Sequence, residues 1–177
     1  MLKVKILNPL ATPPTIAHPG EDLGYDLYAL RIQGQPVNAD GTPVPFHPPA
    51  PGMPTRIDTL GRVVRPIRIE AGKPTVVDTG ISLQFTQENN KKFGFLMRDR
   101  SSLASKGLFV TAGVIDAGYR GEVKVVFNLV GGSYFDLWPG DKIAQAIPFE
   151  VLADTVEVSQ ELEESTRKEG GFGSSGR

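Results

Sequence analysis

A carboxylate after an apolar run, then a glycine turn, then an aromatic, is the most chemically suggestive stretch of this chain. It reads "AGVIDAGYRGEVKVVFN" over 112–128, with Asp116 two residues before Gly118 and three before Tyr119. The pattern predicts a β-hairpin with a carboxylate near its bend. Backbone N–H and C=O groups of such a hairpin can pair with the edge of a planar base, which is one way to read a pyrimidine. The plain alternative is a hairpin whose Asp makes an Asx-turn.

Three other compact polar stretches accompany it. "RDRSSLASKG" (98–107) sets Arg100 beside two hydroxyls at a helix start, which suits an anion; an ordinary capped helix would look the same. "GEDLGYDLYA" (20–29) places Asp26 beside Leu27, and Gly24 permits a close backbone approach. "WPGDKIAQAI" (138–147) carries Gln145 inside an apolar run, so its amide must bond to backbone or to a ligand. The chain closes on "TRKEGGFGSSGR" (166–177), where a Gly- and Ser-rich tail keeps one aromatic, Phe172, with Arg167 shortly before it. Tails of that composition are usually mobile and unspecific.

The elements that position these stretches are strands. Twenty glycines and fifteen prolines in 177 residues cut the chain into short segments, which favours one all-β domain. Strands are predicted over 2–7, 67–71, 74–85, 93–98, 122–129 and 143–152 from alternation and from β-branched and aromatic content. A helix of about two turns is predicted over 101–107, capped by Ser101 or Ser102 and ended by Gly107. Residues 31–65 carry seven of the fifteen prolines and are predicted to leave the sheet.

The formal net charge of -1 offers no basic field for a long nucleic-acid footprint. No run of about 20 apolar residues is present, so no membrane span is expected, and "MLKVKILNPL" is too short and too alternating for a signal peptide. Cysteine is absent, which excludes disulfides, thiol catalysis and thiolate metal sites. It fits a cytoplasmic home. The two histidines, His18 and His47, give little material for a histidine metal cluster or a serine–histidine triad.

In this order the stretches resemble the five motifs of the homotrimeric dUTPase (deoxyuridine triphosphate nucleotidohydrolase) family. "DLGYDLYA" is similar to the first motif, "RSSLA" to the second, "GVIDAGYRGEV" to the third, "GDKIAQ" to the fourth and "RKEGGFGSSG" to the fifth. The resemblance implies an all-β, jelly-roll-like β-barrel of the β-clip type over 1–160. Residues 31–65 would be a proline-rich insertion, and 161–177 a mobile C-terminal arm closing over the site. It implies hydrolysis of dUTP to dUMP and pyrophosphate, which limits uracil in DNA and supplies dUMP for dTMP synthesis.

On the family's pattern Asp116 orients and deprotonates the attacking water. Arg100, Ser101, Ser102, Gln145 and Arg167 would hold the phosphates, and Gly113, Val114 and Ile115 would read the uracil. Tyr119 would pack on the deoxyribose and leave no room for a 2′-hydroxyl. Phe172 would stack on the base, with Gly171, Gly173, Ser174 and Ser175 turned toward the phosphates. Asp26 would support the site indirectly. Mg²⁺ would be held mainly by phosphate oxygens and waters rather than by a protein cage. A homotrimer with shared active sites is expected.

The chain departs from the family's commonest pattern at Gly118, often Asp; at Ser102, often Gly; and at Asp22-Leu23, often Ser-Ala. Two rival readings stand beside this one. The related dCTP deaminases share the fold and an "RSSLA" stretch, but need a carboxylate on the strand after the third motif, where this chain has Val126. A non-catalytic nucleotide sensor or protein-binding module, using the insertion as its contact surface, is the other.

Overall fold

The computed structural model describes residues 1–35, 37–40, 42–43, 54–58, 61–86, 91–152, 155–161 and 163–164. The strands are β1 (Leu2–Ile6), β2 (Tyr25–Tyr28), β3 (Arg31–Ile32), β4 (Arg56–Ile57), β5 (Val63–Val64), β6 (Ile67–Glu70), β7 (Thr75–Asp78) and β8 (Ile81–Phe85). Then come β9 (Phe93–Asp99), the helix α1 (Ser101–Ala104), β10 (Leu108–Thr111), β11 (Val114–Ile115), β12 (Lys124–Leu129), β13 (Tyr134–Leu137) and β14 (Lys142–Glu150). Among the described residues the chain is all-β with one short helix, as its punctuation by glycine and proline predicts.

Two four-stranded sheets, in the orders β10-β12-β7-β3 and β11-β9-β14-β2, carry the architecture. Three two-stranded sheets, β1-β8, β13-β6 and β4-β5, complete it. Every strand pairing is antiparallel. Period-two alternation sets which face is buried. On β12, Val125, Phe127 and Leu129 are buried and Lys124, Val126 and Asn128 are not. These join Leu27, Ile69, Val77, Phe95, Met97 and Ile143 in one core cluster. Phe127 is fully enclosed, so truncating it to Ala would cost about 3–5 kcal/mol.

Four sequence expectations change. The run 74–85 is two strands, β7 and β8, divided at Gly80 in the left-handed region at φ 71. A side chain there would press on Ala11 and Leu30 at 2.7 Å, so the break is fixed sterically. The helix is a single turn. Its N-cap is Arg100 in an extended conformation with no side-chain cap, so neither Ser101 nor Ser102 caps it, and both are exposed. Gly107, at φ 83, closes the following turn, where a side chain would collide with the Val130 carbonyl.

The expected hairpin around Asp116 is also different. β11 pairs with β9, whereas β12 pairs with β10 and β7, so the strands flanking Asp116 lie in different sheets. The cause is local: Ala112 adopts φ 58, which ends β10 and turns the chain across to β9. Finally, the proline-rich stretch does not leave the sheet at once. β3 extends the β7 edge, and β4 and β5 form a small hairpin whose Arg56 guanidinium lies 4.1 Å from the Trp138 ring centroid. His47 lies outside the described residues.

Candidate active site

Asp26, Gln145 and Arg98 form a row across three adjacent strands. Gln145 on β14 stands opposite Asp26 of β2 on one side and Arg98 of β9 on the other. Directly opposed residues share a sheet face, and the alternate face carries buried Leu27, Ala144 and Met97. Asp26 is only 5 % exposed because its neighbours fold over it. The Arg100 guanidinium donates to Oδ1, and Lys142 Nζ lies 2.8 Å from Oδ2.

A buried carboxylate requires such compensation, and two cations on one carboxylate leave positive charge over. That excess lies where β9 runs into α1, beside the exposed Ser101 and Ser102. The local chemistry suits an anion with several oxygens. A register irregularity between Lys142 and Ala144 is what brings Lys142 level with β2. Gly24 is required by close approach: a Cβ there would meet Ile147 at 3.0 Å and the Ala146 carbonyl at 3.3 Å. The Asp99 carboxylate accepts the Val110 N–H and so fixes the end of β9 just before Arg100. Asp22 accepts the Ala17 and His18 amides at 3.1 and 2.9 Å, closing its own loop.

Asp116 follows β11, the edge strand of its sheet. One side of β11 is laddered to β9, which leaves its other side without a strand among the described residues. The Gly113 carbonyl accepts the Met97 N–H at 2.6 Å, and a Cβ at 113 would lie 3.0 Å from the Met97 oxygen. The chain then turns: Tyr119 N–H reaches the Asp116 carbonyl at 3.0 Å. Arg120 Nη1 donates to the Ala117 and Tyr119 carbonyls at 2.8 and 2.7 Å.

Buried neighbours fasten the end of this loop. Ser82 Oγ donates to the Arg120 carbonyl at 2.9 Å, Thr79 Oγ1 to the Val123 carbonyl at 2.6 Å, and the Gly80 amide to Glu122 at 2.8 Å. Asp116 itself is exposed. Beside it Val114 and Tyr119 are 62 % and 42 % exposed, an apolar and aromatic surface adjoining an ionisable oxygen. A side chain at position 118 would meet open space, so Gly118 in place of Asp removes no contact from the turn.

These two groups are apart in one chain. Ile115 is level with Phe95, whereas Arg100 lies beyond the far end of β9. Six residues of strand separate the Asp116 level from Arg100, roughly 20 Å at 3.3 Å per residue. Of the residues singled out in the sequence, the structure gathers Asp26, Arg100, Ser101, Ser102 and Gln145 at one place. It gathers Gly113, Val114, Ile115, Asp116 and Tyr119 at another. Arg167, Gly171, Phe172, Gly173, Ser174 and Ser175 lie outside the described residues. Sequence reasoning missed Arg98 and Lys142, although both stood inside the quoted stretches; only the cross-strand register reveals them. Val126, where a deaminase needs its carboxylate, is half-buried in the middle of β12 opposite Val76 and Thr111.

The all-β fold and this divided set of residues define a class before they define a family. Residues 62–176 match the dUTPase family model. The chain is 31% identical over 179 residues to the deoxyuridine 5'-triphosphate nucleotidohydrolase of Clostridium tetani, covering 99% of this chain and 97% of that protein. Among solved structures, a mutant dUTPase of Staphylococcus bacteriophage 80alpha with dUpNHpp aligns at TM-score 0.70 and 20% identity, over 100% of this chain and 99% of that one. A mutant dUTPase of phage phi11 of S. aureus, described with a structural Mg(II) ion, aligns at TM-score 0.63 and 18% identity, over 93% and 99%. The chain belongs to the dUTPase family.

Proposed function

We propose that this chain hydrolyses dUTP to dUMP and pyrophosphate. The observation that carries this reading is the exposed Asp116 carboxylate just after the edge strand β11, in a family chain that also builds a cationic row around Asp26. Water attacks the α-phosphorus; its oxygen forms the new P–O bond, and the bond to the β-phosphate bridging oxygen breaks. Asp116 orients the water and takes its proton. Arg100, Ser101, Ser102 and Gln145 hold the triphosphate in line, and Arg167 with the amides and hydroxyls of Gly171, Gly173, Ser174 and Ser175 completes the grip. Asp26 holds Arg100 and Lys142 in place from below.

The stretch Gly113, Val114 and Ile115, whose β11 edge has no further strand beside it among the described residues, reads the uracil. Tyr119 packs against the deoxyribose, and Phe172 stacks on the base. Among the described residues no group of three or more His, Asp or Glu side chains is arranged to hold a metal ion by itself. A magnesium ion would take its ligands mainly from phosphate oxygens and waters, as this hard cation prefers. It would supply charge neutralisation on the triphosphate.

The separation of Asp116 from Arg100 within one chain supports a homotrimer in which each site draws on several subunits. We assign 1–160 to the catalytic domain, with 31–65 as its insertion, and 161–177 to an arm that closes over the bound nucleotide. Among the described residues no helix is long and apolar enough to cross a membrane; a cytoplasmic location is part of this proposal. The product dUMP would feed dTMP synthesis, and removal of dUTP would limit uracil in DNA.

The test is pyrophosphate release from dUTP, UTP, dTTP and dCTP side by side. The expected result is a strong preference for dUTP, because a site that hydrogen-bonds the uracil edge leaves buried groups unpaired against cytosine. Ammonia release from dCTP would instead establish deamination.

A further inference from the structure

Tyr119 does not stand free on its turn. Its hydroxyl donates to the Glu122 carbonyl at 2.9 Å, so the ring folds back along the chain over residue 121. That position is glycine. A Cβ there would lie 2.5 Å from Tyr119 Oη, 2.6 Å from Cζ and 3.1 Å from Cε2. No backbone atom is among these nearest neighbours, and Gly121 is not in the left-handed region. The backbone therefore does not require glycine here; the tyrosine ring does.

The anchor at the far end of the ring is firm. The Glu122 side chain accepts the Gly80 amide at 2.8 Å, and Lys124 Nζ approaches it at 3.2 Å. At the near end, Arg120 ties the Tyr119 carbonyl at 2.7 Å. The hydroxyl thus meets the backbone carbonyl of a residue whose side chain is held by two partners, and the ring lies folded over position 121, which lacks a side chain.

We propose that Gly121 is a specificity-determining residue: by carrying no side chain it lets Tyr119 lie folded against Glu122, and that placement excludes a 2′-hydroxyl. Gly121 acts through Tyr119, as a positioning residue. The inference rests on the reading above that Tyr119 meets the sugar.

The experiment compares kcat/KM for dUTP and UTP in the full-length wild type, Gly121→Ala, Tyr119→Ala and the double variant. The methyl group in Gly121→Ala should push the ring aside and break its bond to Glu122. The dUTP/UTP ratio should then fall roughly 3–10-fold, the scale of one lost hydrogen bond, with a thermal midpoint close to wild type. In the Tyr119→Ala background the same substitution should change the ratio no further, because its target is gone. A purely structural role would act equally in both backgrounds, and that result overturns the proposal.

A fall in the ratio for Tyr119→Ala without one for Gly121→Ala also overturns it, while leaving the sugar contact intact. No change for Tyr119→Ala overturns the sugar contact itself. Tyr119→Phe gives a second route that adds no atom to the backbone. It removes the tether to Glu122 and should lower the ratio in the same direction by a smaller factor; an unchanged ratio counts against the proposal even where Gly121→Ala does not fold.

Discussion

The guanidinium of Arg100 donates to the carboxylate of Asp26, a residue only 5 % exposed, and Lys142 takes the other oxygen at 2.8 Å. The first, second and fourth motifs therefore meet at one buried charge. Asp26→Asn keeps the shape and removes that charge, freeing Arg100 from its bearing. We expect kcat/KM for dUTP to fall roughly 10–100-fold, the scale of a small misplacement of a phosphate-holding group. The fold should lose only about 1–3 kcal/mol, since Arg100 and Lys142 are 25% and 40% exposed and can turn to water. Wild-type kinetics in this variant would separate Asp26 from the site.

Removing residues 167–177 should leave the described fold in place, because this stretch of sequence has no apolar run able to join the core. Catalysis should nevertheless collapse, because Arg167, Phe172 and the glycine amides leave together. Phe172→Ala alone should lose on the order of 1–3 kcal/mol, the worth of one base–aromatic stack. Phe172→Trp should keep much of the activity and change its fluorescence on adding a non-hydrolysable dUTP analogue with magnesium. A truncated enzyme that turns over dUTP at the full rate would make the tail an inert appendage.

Much of this was legible in the sequence, for reasons particular residues explain. β12 announces itself because Val125, Phe127 and Leu129 alternate with Lys124, Val126 and Asn128, and such alternation has one physical solution. The motif residues were legible as types and order. Their partners were not. That Lys142 and Arg100 share Asp26 depends on the β2–β14–β9 register and its irregularity at Lys142, which no local pattern encodes. The hairpin expected around Asp116 is present as the β10–β12 pair, but its connection swings across to β9 because Ala112 takes a left-handed conformation that alanine seldom adopts. The single-turn helix was overestimated because two serines read as caps, whereas Arg100 occupies the cap position.

The third-motif loop also depends on a charge cluster away from the site. Asp78, 2 % exposed, accepts Lys124 Nζ at 2.5 Å and Arg31 Nε at 3.1 Å. Burial opposes the Lys124 charge, but hydrogen bonds from it to Asp78 and Glu122 outweigh burial, and its pKa stands above the ordinary lysine value. A raised folded pKa contributes stability in full below the unfolded value of about 10.4 and loses it as pH climbs through the higher folded value. The difference in thermal stability between wild type and Lys124→Met should therefore hold steady below the unfolded lysine value of about 10.4 and shrink as the pH climbs through the raised folded value. A difference that persists undiminished at the alkaline end would show that Lys124 acts through packing alone.

Asp116 and Arg100 lie roughly 20 Å apart along one chain, and this makes a shared site directly testable. Asp116→Asn can hold a water but cannot take its proton, so turnover should drop by roughly 10²–10⁴-fold with dUTP binding retained. Arg100→Ala should also be nearly inactive, through loss of the phosphate grip. Each variant alone keeps the residue the other lacks. If a site takes Arg100 from one subunit and Asp116 from another, co-refolding the two variants in equal amounts should rebuild about one site in four by random mixing around a threefold ring. Activity should then rise far above that of either variant. If each site were complete within one chain, every site in the mixture would carry one lesion and no activity would return. Recovery that scales with the product of the two variant fractions would establish the shared site, and its absence in confirmed mixed trimers would confine the chemistry to a single subunit.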